Sequence, residues 1–75
     1  MRGFWLSWAC EESGFIGVAI VEAESFLAAR MKAEILGIAP KVKGQQCSGT
    51  EVDFYLFPKE DTNRLLTKEE AMRYV

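Results

Sequence analysis

Phe15-Ile16-Gly17-Val18-Ala19-Ile20-Val21-Glu22-Ala23-Glu24-Ser25-Phe26 is the stretch that decides the fold, because the hydrophobic period changes inside it. Up to Ala23 the run is rich in β-branched residues and alternates. Ile16, Val18 and Ile20 share one face; Phe15, Ala19, Val21 and Ala23 share the other. That reads as a strand whose Ile16/Val18/Ile20 face is expected to meet a helix. Ser25 stands where a helix N-cap belongs. Glu22 and Glu24 precede it, at the positive end of the helix dipole. From Phe26 onward Ala, Leu, Met and Lys dominate, all good helix formers, which predicts a helix from about Phe26 to about Leu36. Gly37 suits the C′ position, Ile38 the hydrophobic contact after it, and Pro40 stops any continuation.

Toward the N-terminus the chain alternates again. Phe4, Leu6, Trp8 and Cys10 point one way; Trp5, Ser7 and Ala9 point the other. Glu11-Glu12-Ser13-Gly14 reads as a turn, so the first two runs form an antiparallel hairpin. Toward the C-terminus, Lys41 to Gly49 reads as a loop or a frayed edge strand. Thr50 to Phe57 alternates as a third strand, with Val52, Phe54 and Leu56 opposite Glu51, Asp53, Tyr55 and Phe57. Pro58 ends it, Lys59 to Asn63 is a polar turn, and Arg64-Leu65-Leu66 returns as a short partner strand. Thr67-Lys68-Glu69-Glu70 is a capping box, with Leu66 and Ala71 at staple positions. It opens a short helix that reaches Tyr74 or Val75. The expected fold class is α+β in one domain, residues 1–75. A small antiparallel sheet of about four strands, in β-β-α-β-β-α order, packs on one main helix, with a short C-terminal helix.

The 75 residues are 49% hydrophobic and 27% charged, which suits a globular rather than a disordered chain. A chain of this size buries only about 60% of its unfolded surface when folding alone, so it usually needs a staple. With no His and two Cys, a standard zinc site cannot be assembled within one chain, and the usual base of nucleophilic triads is missing. No Walker loop or dinucleotide fingerprint occurs. No catalytic residue, metal or cofactor is therefore expected, and the chain reads as a non-enzyme. Its formal charge of −2 argues against duplex DNA as a partner. The apolar runs are too short for a signal peptide or a membrane span. The expectation is a cytoplasmic protein without a membrane partner, in which Cys10 and Cys47 are free thiols. Neither has a nearby His or a clear helix start to activate it.

A half-buried strand should be apolar on one face only. Both hairpin strands are apolar on two. The helix carries one stripe of Phe26, Ala29, Ala33 and Leu36, and a second of Leu27, Ala28, Met31 and Ile35. These surfaces exceed what one helix and one small sheet can cover, which predicts a homo-oligomer. The alternative within one chain is that the C-terminal helix covers the far sheet face.

Two groups of residues stand out as a candidate binding surface. Arg30, Lys32, Lys41 and Lys43, against Glu34, give a local positive balance, Gln45, Gln46 and Ser48 add donors and acceptors, and Gly44 and Gly49 let backbone amides approach a ligand. Trp5, Trp8 and Tyr55 offer faces on which a base could stack. Solvated loop and packed core are the plain structural readings of the same two groups.

Gly17-Val18-Ala19-Ile20-Val21-Glu22-Ala23-Glu24-Ser25-Phe26, continuing through Ala33 to Leu36-Gly37-Ile38, resembles a group of small uncharacterised phage and prophage accessory proteins with a strand, V-E-A, helix, L-G-I pattern. The likeness covers about the middle third of the chain. Pro40, Gly44 and Gly49 fit the Gly/Pro-rich loop that follows the helix in those proteins; the intervening lysines and glutamines do not belong to the pattern. The resemblance implies a counter-defence protein acting in the host cytoplasm. Such a protein either sequesters a nucleotide signal between subunits or blocks a host defence protein directly. The function expected from these readings is a homo-oligomeric binding protein for a small anionic ligand of cyclic-nucleotide type. Arg30, Lys41 and Lys43 would neutralise phosphate, Gln45 and Gln46 would hold a base, and Trp5 or Trp8 would stack on it. The alternative is inhibition of a host protein through the apolar surface.

Overall fold

Strands β1 (Arg2–Cys10) and β2 (Gly14–Ala23) form the antiparallel hairpin that the alternation predicts. The computed structural model describes residues 1–74; the expected helix end at Val75 lies outside them. Phe4 faces Val21, Leu6 faces Ala19 and Trp8 faces Gly17. The register then shifts, so that Ala9 faces Phe15 and Ile16 is the extra residue of a β-bulge.

Helix α1 (Phe26–Ile35) covers the face opposite to the expected one. It lies over Phe4, Leu6, Trp8, Ala19, Val21 and Ala23, while Val18 and Ile20 belong to a second core on the other side. Cross-strand neighbours share a face. Ala19 and Val21 therefore follow Leu6 and Phe4, and the aromatic side of β1 fixes where the helix sits. Ile16, displaced by the bulge, returns to the helix side and packs there. The helix contact is made by fully buried Ala29 and Ala33, whose small side chains let the helix lie close to the sheet.

The ends of α1 follow the sequence signals. The Ser25 hydroxyl accepts the Ala28 amide at 3.1 Å. At the other end Gly37 has φ +73°, the Gly37 amide donates to the Glu34 carbonyl, and the Ile38 amide donates to the Ala33 carbonyl, both at 3.0 Å. This is a Schellman stop.

The third strand begins and ends earlier than the alternation suggests. Strand β3 spans Gln46–Val52 and pairs antiparallel with β1 from Ala9↔Gln46 to Gly3↔Val52. Beyond Val52 the Asp53 carboxylate accepts the Tyr55 amide at 3.1 Å and starts a 3-10 turn, Phe54–Leu56. The local side-chain cap overrides the alternation of residues 53–57. A second 3-10 turn covers Lys59–Asp61. Strand β4 (Leu65–Leu66) does not return beside β3. It crosses the far face and pairs with β2, Val18↔Leu66 and Ala19↔Leu65, giving the order β3-β1-β2-β4. Helix α2 (Lys68–Met72) starts on the expected capping box, with Thr67 and Glu70 satisfying each other's amides. The coarse architecture is thus α+β, with a four-stranded antiparallel sheet and two helices.

The crossover and α2 close the far face within the chain. Val18, Ile20, Leu66 and Ala71 form its core, flanked by Trp5, Val52, Phe54 and Phe57. A polar cluster pins the lid. Asp61, 3% exposed, accepts from Arg64 at 3.0 Å and from the Tyr74 hydroxyl, and Arg64 reaches Glu70 at 2.6 Å. The outer stripe of α1 has no such cover: Leu27, Met31 and Ile35 stay exposed, Ile35 to 81%.

Candidate functional site

The eight residues expected to bind a ligand occupy four separate places. Trp8 is 3% exposed in the core beneath α1, between Gly17 of β2 and Cys47 of β3. It is packed away from any ligand. Trp5 points to the other face, half-buried, with its ring centroid 6.1 Å from that of Phe57 and 6.3 Å from that of Tyr74. Its open side lines an apolar hollow of about 310 Å³ with Phe15, Val18, Ala71 and Met72. Arg30 lies on exposed α1 surface, its guanidinium carbon 5.9 Å from the Phe26 ring centroid.

The remaining five belong to the loop and the strand it enters. Lys41 and Lys43 are exposed. Lys43 and Gly44 meet Cys10, Glu11 and Glu12 of the hairpin tip around a hollow of about 360 Å³. Gln46 shares an adjoining hollow of about 250 Å³ with Ala9, Cys10, Glu11 and Gly44. Gln45 is half-buried, and its side-chain oxygen has no hydrogen-bond partner among the described residues. Ser48 sits exposed on β3 opposite Ser7. The structure thus joins Lys43, Gly44 and Gln46 at one end of the sheet and separates them from both tryptophans. Glu11 and Glu12 face the same hollow, so a bare anion there meets two carboxylates as well as one ammonium.

The hairpin tip also holds a feature that the sequence reading missed. The Cys10 sulfur lies 2.7 Å from the Ser13 hydroxyl and accepts the Ser13 amide at 3.4 Å. These contacts, the hydroxyl first, hold the Cys10 thiol below its ordinary pKa. The signal was Cys10 three residues before Ser13 in a tight turn. Burial instead pushes the Cys47 thiol up, partly offset by Arg30. Both cysteines are free. Among the described residues, no group of three or more acidic or cysteine side chains is placed to hold a metal. Among the described residues, no helix is long and apolar enough to cross a membrane.

The two edges of the sheet differ. On the outer side of β2, β4 pairs at Val18 and Ala19, the Asn63 amide donates to the Ile20 carbonyl, and the Lys32 ammonium donates to the Glu22 carbonyl, the last two at 2.9 Å. Among the described residues, β3 has no strand on its outer side over any of its seven positions. It lacks Pro and Lys, the residues that commonly blunt such an edge, and its one charged side chain, Glu51, pairs with Arg2 at 2.6 Å. A Cβ at Gly49 would collide with the Phe26 ring, so the middle of the strand is flattened against α1 and only glycine fits there. The sequence predicts only a loop or a frayed edge strand over residues 41–49 and starts the third strand at Thr50, four residues after the edge begins. Comparison with protein-family models, with curated proteins and with solved structures found no match.

Proposed function

We propose that this chain is a non-enzymatic, protein-binding module that takes an extended segment of another protein onto β3. The carrying observation is the contrast between its edges: β2 is shielded by three separate devices, and β3 by none. An added strand gains main-chain hydrogen bonds for affinity and side-chain contacts on alternate faces for specificity. On the helix side those contacts would be Phe26, Arg30 and Cys47; on the other side, Gln46, Ser48 and Thr50. In the phage-accessory setting suggested by the resemblance, the partner is a host defence protein in the cytoplasm and the chain acts as its inhibitor. The test is co-purification with Ser48→Lys/Thr50→Lys, which places two ammonium groups along the edge. A stoichiometric protein partner lost with this variant and kept by the unaltered chain supports the reading. A partner that survives the variant removes it.

A second reading, capture of a small anionic ligand of nucleotide type by an oligomer, is supported by Lys43, Gly44 and Gln46 gathered around the end hollows. Calorimetry against a nucleotide panel tests it. Binding abolished by Lys43→Ala would favour it, and silence from every member would remove it.

A further inference from the structure

The outer face of α1 is an apolar stripe that the fold leaves uncovered. Leu27, Met31 and Ile35 are 64%, 57% and 81% exposed. They recur at four-residue steps, so they form one stripe along the helix, on the side away from buried Ala29 and Ala33. The stripe is symmetric in sequence: Leu27 and Ile35 each stand four residues from Met31, which is near the middle of the ten-residue helix. Arg30 and Glu34 flank it on one side, both exposed, and neither has an ion-pair partner among the described residues. Within a helix, the basic residue preceding the acidic one at i, i+4 is the weaker order.

From these observations we infer that two copies of this chain pair through α1, packed antiparallel about a two-fold axis at Met31. Leu27 of one copy then meets Ile35 of the other, and Met31 meets Met31. Arg30 lies one residue before the axis and Glu34 three residues after it. At about 1.5 Å per residue, Glu34 of the second copy comes within about 3 Å of Arg30 along the helix direction. The same flank faces itself across such an axis, so two Arg30–Glu34 pairs form at once. In a parallel arrangement the two-fold axis runs along the helices and carries the two Arg30/Glu34 flanks to opposite sides of the seam, so these pairs do not form. The charges therefore select the antiparallel seam, and a second copy is the partner whose charges they match. Two three-turn helices bury less than the roughly 1,200 Å² of an ordinary stable interface, so the pair exchanges and its population depends on concentration.

The experiment is sedimentation velocity from micromolar to millimolar chain, with circular dichroism to verify that each variant is folded. The unaltered chain is expected to move from 8.5 kDa toward twice that mass. Met31→Asp holds it at the lower mass. Arg30→Glu and Glu34→Arg each weaken pairing at least severalfold, and the double exchange Arg30→Glu/Glu34→Arg restores it. In a Cys10→Ser/Cys47→Ser background, Met31→Cys cross-links on oxidation and Lys68→Cys does not. The inference is overturned by a mass that stays at the single-chain value, by a double exchange that fails to restore pairing, or by association that Ser48→Lys/Thr50→Lys abolishes and Met31→Asp leaves intact. The last result would place the seam on the β3 edge. Loss of the co-purifying protein in the β3 variant, with α1 pairing unchanged, separates this inference from the proposed function.

Discussion

The two faces of the sheet present the same sequence problem and answer it differently. Each face is apolar, and each is covered by one helix. On the α1 side the cover is regular: ten residues pack through two alanines and leave Leu27, Met31 and Ile35 outward. On the other side α2 has only five residues, and the cover is completed by two 3-10 turns, a two-residue strand and the Asp61–Arg64–Glu70–Tyr74 cluster. Both covers leave apolar side chains outward, Tyr55, Leu56 and Met72 on the lid and Leu27, Met31 and Ile35 on α1, but those of α1 line up as one stripe along a single helix. Apolar residues on both sides of a strand thus do not measure how much surface stays open. What matters is whether a later, polar-looking segment folds back over them.

The largest test of this contrast sets Leu66→Ala against Met31→Ala. Leu66 is fully buried where β4 meets the far core, and its truncation should cost about 2–5 kcal/mol in urea unfolding. Met31 touches no core in a single chain, so its truncation should change stability by less than about 0.5 kcal/mol in dilute solution. Equal losses would mean that the two faces are not built differently. Next is Asp61→Ala, which removes the buried acceptor of Tyr74 and Arg64. A loss of about 1–3 kcal/mol is expected, and hydrogen exchange should accelerate over Lys68–Met72 while Phe26–Ile35 is unaffected.

Acid offers a gentler probe of the same lid. Arg64 first, then the Thr67 amide, hold the Glu70 carboxyl down from 4.5 to about 2. Its folded value lies below its unfolded value, so its contribution is complete above about pH 4.5 and is lost as the pH falls toward about 2. Thermal melts across that window should therefore fall more steeply for the unaltered chain than for Glu70→Gln; parallel curves would show that Glu70 does not hold α2. The smallest effect is chemical. At neutral pH a disulfide reagent should modify Cys10, lowered by Ser13, before Cys47, raised by burial, and Ser13→Ala should narrow the gap in rate.

Much of this architecture is legible in the residues, for local reasons. Ser25, Gly37, Thr67 and Glu70 act through their nearest neighbours in the chain, and each stands where its chemistry predicts. Three features are set by distant partners or competing local bonds. The helix-bearing face of β2 follows from its pairing with β1 and from a bulge at Ile16. The end of β3 follows from the Asp53 cap, which competes with an alternation that continues to Phe57. The destination of β4 depends on the depth of the far core, not on the two residues of the strand. The candidate site was less legible for the same reason. Lys43 and Gln46 come together through the hairpin tip, but alternation alone put Trp5 and Trp8 on opposite faces, and no spacing rule brings them back to the loop.

Placing the chain's two indoles on opposite sides of the sheet makes each the optical witness of a different event. Trp8 darkens or shifts when α1 docks; Trp5 does so only when residues 53–66 have swung across to reach β2. That swing closes a loop whose far anchor does not exist until the hairpin has formed, so it should be the later step. Stopped-flow emission from Trp5→Phe and Trp8→Phe would then record two clocks in one small molecule, the first started by the helix and the second by the strap.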